Sequence, residues 1–140
     1  MDHKVYESLV YVTARNDDGG YGINVPVRLM YHTRDPFAVS FVFVGVNEDN
    51  DGDEFIEWSF ARDLLASGVV ATHRVGEGDI KIWREDYLLI VEMHNGADTV
   101  WLSTPHRPVM RFLSEIYRVV PEGSEMNLVD MDGFIESCRA

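Results

Sequence analysis

The sequence predicts an α+β fold built from two four-stranded antiparallel sheets with helices, in the order four strands, helix, four strands, helix, tail. Three observations carry this expectation. Strand-length runs rich in β-branched and aromatic residues recur between turn-forming clusters, and one of them, Ile23–His32, has a clear period of two. Two stretches before the tail read as helices, one of them with a clear stripe of apolar residues three and four apart. Each four-strand group has one apolar face to bury, which two packed layers accomplish.

The first strand is expected over Val5–Ala14, rich in β-branched and aromatic residues. Asn16-Asp17-Asp18-Gly19-Gly20 is a turn. Ile23, Val25, Val27, Leu29 and Tyr31 alternate with Asn24, Pro26, Arg28, Met30 and His32 in a second strand. Pro26 lacks a backbone donor and places that strand at an edge or a bulge. Ala38–Val44 and Phe55–Phe60 are strands flanking the acidic stretch Asn47–Glu54. Ser59 is suited to cap a short helix over Ala61–Ala66, which Gly68 ends in a left-handed conformation.

The second group comprises Val69–Val75, Ile80–Trp83, Tyr87–Met93 and Thr99–Ser103, with Asn95-Gly96 as a hairpin signal. Thr104 and Pro105 suit the start of a second helix. Val109, Phe112, Leu113, Ile116, Tyr117 and Val120 form its apolar stripe, and Pro121 and Gly123 end it. Asp130–Cys138 is expected to be a last short helix. The 140 residues fit a single domain, 1–140.

Composition narrows function. The formal net charge is −12, with 12 Lys and Arg and no basic run, which disfavours binding to phosphate backbones. No apolar run reaches the roughly 20 residues of a membrane span. The longest, Phe37–Val46, is of strand length. The start Met1-Asp2-His3-Lys4 lacks a secretory pattern, so a cytoplasmic location is expected. The single cysteine, Cys138, has no internal partner and fits a reducing compartment.

No catalytic, cofactor-binding or metal-binding residue is assigned. Gly19-Gly20-Tyr21-Gly22 lacks the strand–glycines–helix setting of a phosphate loop. The five histidines are not spaced as a metal pair on one helix face. The acidic loop 47–54 puts Asn47, Asp49 and Asp51 in an EF-hand-like register. Trp58 then falls where the bidentate Glu belongs, so an EF-hand is excluded. A solvated loop and a weak surface cation site both remain open for it.

The run Trp58-Ser59-Phe60-Ala61-Arg62-Asp63-Leu64-Leu65-Ala66-Ser67-Gly68 resembles the signature of the SsgA-like family of actinomycete sporulation and cell division proteins. Other blocks agree in order: Tyr31 with Asp35-Pro36-Phe37-Ala38-Val39, Gly76-Glu77-Gly78-Asp79-Ile80-Lys81-Ile82-Trp83, and Phe112-Leu113 before Val120-Pro121-Glu122-Gly123-Ser124-Glu125. Phe37 stands where the family has Tyr, Arg84 where proline is common and Val75 where a polar residue is usual; the 47–54 loop is longer than typical.

The resemblance implies a non-enzymatic protein acting at the division septum of sporulating cells. It implies recruitment of the tubulin-like division protein FtsZ, or contact with a fellow SsgA-like protein, and a homotrimer. It also implies a Whirly-like fold, whose single-stranded nucleic-acid binding is the alternative function. The family-signature residues, structural or partner-binding, are Trp58, Phe60, Arg62, Asp63, Leu64, Leu65, Gly68, Gly76, Gly78, Asp79, Pro121 and Gly123. Arg62 and Asp63 have two readings: an ion pair or cap joining helix to sheet, or a contact to a partner.

Overall fold

The computed structural model describes residues 3–16, 22–46, 53–76 and 78–128. The strands are β1 (Val5–Asn16), β2 (Ile23–His32), β3 (Ala38–Val46), β4 (Asp53–Ala61), β5 (Ile80–Glu85), β6 (Leu88–Asn95) and β7 (Asp98–Pro105). Helix α1 (Arg62–Gly68) follows β4, helix α2 (His106–Val119) follows β7, and a 3₁₀ turn spans Glu125–Leu128.

All seven strands belong to one sheet, ordered β4-β3-β2-β1-β7-β6-β5. The two four-stranded sheets expected from the sequence are therefore replaced by one continuous sheet. The joint is β1. Its residues Val5–Ala14 pair with β2 along one edge, and Thr13–Asn16 pair with Val100–Ser103 of β7 along the other. Alternate residues of a strand turn their backbone groups to its two edges, so the groups of Thr13–Asn16 that face away from β2 are satisfied by β7.

The expected eighth strand over Val69–Val75 is absent. Val75 alone forms a bridge, to Ile82, and the Arg84 N–H donates to Ala71 O at 2.7 Å. This segment lies beside β5 out of step and makes no ladder. The second strand is not an edge strand, since β1 and β3 flank it. Pairing with β3 begins only at Val27, so the ladder on that side stops beside Pro26.

Both expected helix caps fail. Ala61 precedes α1 and Pro105 precedes α2, and neither makes a side-chain cap bond. The Ser59 hydroxyl meets that of Ser40 at 2.8 Å across β4 and β3. The Thr104 hydroxyl donates to Tyr11 O at 3.1 Å. These hydroxyls sit on strands and satisfy neighbouring strands instead.

One face of the sheet packs against the helices. Val10, Val12, Val27, Leu29, Ile82, Leu89, Val91 and Leu102 of the strands meet Leu65 of α1 and Val109, Phe112, Leu113 and Ile116 of α2. The 3.6-residue stripe foreseen on α2 is the stripe that is buried, with Val120 closing it and Tyr117 half-buried. No helix among the described residues is long and apolar enough to cross a membrane. The expected last helix, Asp130–Cys138, and loop residues 47–52 lie outside the described residues, so the cation question for that loop does too.

Candidate functional site

An arginine is costly to bury without partners. Arg62 is nevertheless fully buried, with 0% of its surface exposed. It opens α1, where its backbone N–H donates to Phe37 O at 2.7 Å. Its side chain runs under the C-terminal end of α2. Nη1 donates to Val120 O at 2.8 Å and to the Tyr31 hydroxyl at 3.2 Å. Nη2 donates to Glu125 Oε1 at 2.7 Å. The guanidinium lies 3.9 Å from the ring centroid of Tyr117 and 5.4 Å from that of Tyr31.

The partners are themselves fixed. The Tyr31 hydroxyl donates to Pro36 O at 2.9 Å. The Gly123 N–H donates to Glu125 Oε2 at 2.8 Å. The Tyr117 hydroxyl donates to Asp63 Oδ1 at 2.8 Å. One planar fork thus joins α1, β2, the end of α2 and the segment after it. Lysine, with a point charge, cannot reproduce that geometry. Only the Arg62 Nε–H lacks an acceptor among the described residues.

The electrostatics follow from these contacts. The Glu125 carboxyl is held below its ordinary 4.5 by its own backbone N–H, with Arg62 and the Gly123 N–H adding to this against the opposing effect of desolvation. Burial pushes the Tyr117 hydroxyl well above its ordinary 10.0, and its bond to the Asp63 carboxylate pushes the same way. Burial also raises Tyr31, with Arg62 partly opposing.

Arg62 is held inside the fold, and its ion-pair partner is Glu125 and not Asp63. Asp63 is exposed and receives Tyr117. Phe60 is buried with its ring edge-on to Phe41, at 5.0 Å between centroids; Trp58 and Leu64 pack against the core, and Leu65 is inside it. Gly68 does not adopt a left-handed stop, since α1 passes into a right-handed Val69. Its reason is contact: a Cβ there would meet Ile82 Cγ2 and lie 2.5 Å from Ile82 Cβ.

The remaining signature residues divide between two places. Pro121 and Gly123 are exposed beside the arginine centre; Gly123 takes φ +92 as its N–H turns toward Glu125. Gly76, Gly78 and Asp79 form the entry to β5, away from Arg62. The Asp79 carbonyl receives the His94 N–H at 2.8 Å there. The sequence reading missed Tyr31, Tyr117 and Glu125 as members of the centre. The signal was an arginine at the start of a helix that otherwise feeds the core, which demands a buried acceptor.

A second polar group lies on the sheet face opposite the helices. Glu92 is only 5% exposed. Trp101 Nε1 donates to its Oε1 at 2.9 Å, Arg74 approaches the same oxygen at 3.4 Å, and His94 Nε2 meets Oε2 at 3.0 Å. Arg74 also lies over the Trp83 ring at 5.1 Å, and Trp83 Nε1 donates to Glu85 at 3.0 Å. Burial raises the Glu92 carboxyl, but the bonds from His94 and Trp101 and the charge of Arg74 outweigh it and hold the carboxyl below 4.5. Among the described residues no His, Cys, Asp or Glu cluster is arranged to hold a metal ion.

Residues 25–125 match the family described as Streptomyces sporulation and cell division protein, SsgA. The sporulation-specific cell division protein SsgB of Streptomyces coelicolor is 34% identical over 113 residues, 77% of this chain and 77% of its own length. The SsgB of Kineococcus radiotolerans is 33% identical over 144 residues, 96% of this chain and 81% of its own. Among solved structures, the SsgA-like sporulation-specific cell division protein of Thermobifida fusca superposes with a TM-score of 0.79 at 28% identity, over 96% of this chain and 95% of that one. A structure from work on SsgB mutations that correlate with longitudinal cell division during sporulation of Streptomyces coelicolor gives 0.75 at 27% identity, over 90% and 96%.

Proposed function

Because the chain belongs to the SsgA family of sporulation and cell division proteins, we propose that it acts at the division septum by binding other proteins. It recruits or positions FtsZ, directly or through a fellow SsgA-like protein, from the cytoplasmic side and as a homotrimer. It is a binding protein and not an enzyme. The observation that carries this reading is the family match over residues 25–125, joined by relatives named as sporulation-specific cell division proteins.

The geometry supports a scaffold. Arg62 is fully buried and donates from both Nη1 and Nη2 to groups inside the fold. Apolar side chains stand outward on the opposite sheet face, with Leu9 54% and Tyr11 66% exposed. Exposed apolar groups gathered on one face are a common mark of protein contact. A stacking surface for single-stranded nucleic acid would use aromatic rings beside basic groups. Here Arg74 does lie over the Trp83 ring, but that ring is only 8% exposed, and the N–H groups of Trp83 and Trp101 donate to the carboxylates of Glu85 and Glu92, which set negative charge beside both rings.

A strain lacking the gene, complemented with a fluorescent fusion, tests the reading. The expected outcome is misplaced or missing sporulation septa that the fusion restores while it localises to them. Normal septa in the deletion strain would refute it.

A further inference from the structure

The outer surface of α2 has a charge pattern opposite to that of the chain. Arg107, Arg111 and Arg118 are exposed. At about 100° per residue their spacing of four and seven places them within roughly 40° of one another, in one row along the helix. The single carboxylate of α2, Glu115, is paired with Arg118 at 2.7 Å. Arg107 and Arg111 have no ion-pair partner among the described residues. A cationic row on a chain of net charge −12 is a local departure.

Beside that row runs an open apolar groove between α1 and α2. Ala66 and Val69 form one wall, Leu113 and Tyr117 the other, and Met110 and Ser114 separate it from the arginines. Its volume is about 260 Å³. That is below the roughly 300–1,000 Å³ of small-molecule sites, and it suits an anchoring side chain better than an enclosed ligand. Met110 is 37% exposed at its rim.

We infer that this face binds a partner segment that carries carboxylates next to a large apolar side chain. The side chain enters the groove and the carboxylates meet Arg107 and Arg111. Planar guanidinium groups suit such carboxylates, and the positive row would steer an acidic segment into register. The mode is that of a short segment laid along a groove, with apolar anchors and charged flanks. The inference rests on the protein-binding reading above and specifies where, and to what chemistry, the binding occurs.

The test uses the full chain, labelled, on an array of peptides tiling FtsZ and the SsgA-like proteins of the same organism. The expected hits combine Asp or Glu with Leu, Phe, Ile or Met. Arg107→Ala/Arg111→Ala should weaken them about tenfold, as should Met110→Glu, with an unchanged melting temperature because these positions are exposed. Hits with no acidic bias, or binding unchanged in both variants, would overturn the inference. So would self-association lost in the same variants, which assigns the groove to a second copy. Single-stranded DNA binding lost with the arginines but kept in Met110→Glu would assign the row to nucleic acid and overturn it as well. If both variants still sediment with FtsZ polymers as the parent chain does, the inference fails while the adaptor reading stands. Groove-dependent peptide binding without sedimentation of the parent chain gives the reverse.

Discussion

Arg62→Ala is the perturbation that bears most directly on the buried centre. Truncation removes two hydrogen bonds to uncharged acceptors, Val120 O and Tyr31, each worth about 1 kcal/mol. It removes two buried methylenes, at about 0.8 kcal/mol each. It also removes the contact with the Tyr117 ring, about 1–2 kcal/mol when desolvated. Release of the unpartnered Nε returns part of this, but Glu125 is left without its ion-pair partner; removing one member of a buried pair costs about 3–5 kcal/mol, so a loss of at least about 3 kcal/mol is expected. At about 2.1 cal/mol/K per residue, 1 kcal/mol shifts the melting temperature of a chain this long by about 3 °C. A fall of about 10 °C is therefore expected in differential scanning calorimetry. Arg62→Lys, which keeps the charge but cannot fork, should fall by about half as much. A drop of less than about 3 °C for Arg62→Ala would show that the centre does not hold the helices to the sheet.

Gly68→Ala tests whether close approach, and not backbone freedom, explains that glycine. The added methyl meets Ile82, so a loss of about 1–3 kcal/mol is expected in urea unfolding, partly restored by Ile82→Val. A neutral Gly68→Ala would contradict the contact. Glu125 and Glu92 both have carboxyls held below 4.5 in the folded chain. Each therefore adds stability that is complete above about pH 4.5 and is lost as the pH falls through its lowered value. In urea unfolding across pH 3–6, Glu125→Gln and Glu92→Gln should each show a shallower loss in acid than the parent chain. Parallel curves would refute the assigned contacts.

Seven of the eight expected strands, the Asn95-Gly96 hairpin and the apolar stripe of α2 were legible because they rest on local composition, turn residues and a period of 3.6. The joining of the two meanders was not. It rests on Thr13–Asn16 meeting Val100–Ser103, a pairing with no local signal. The Val69–Val75 segment has strand-like composition, but Val69 is buried as part of the α1 exit and only Val75 reaches Ile82. Tertiary position overrode β-propensity there. The family signature marked Arg62 as special. Its partners lie 31, 58 and 63 residues away, so the sequence left its role open between fold and partner. Gly68 was foreseen at the right place for the wrong reason, because a helix-end glycine and a close-contact glycine look alike in sequence.

The central claim is that this chain is an adaptor for the division machinery. Co-sedimentation of the purified protein with GTP-assembled FtsZ from the same organism tests it, with and without a fellow SsgA-like protein and with labelled single-stranded DNA in parallel. The account predicts pelleting with the polymer, alone or once the second protein is added, and no DNA binding at low salt. Protein that stays in the supernatant under both conditions while binding the DNA would contradict it.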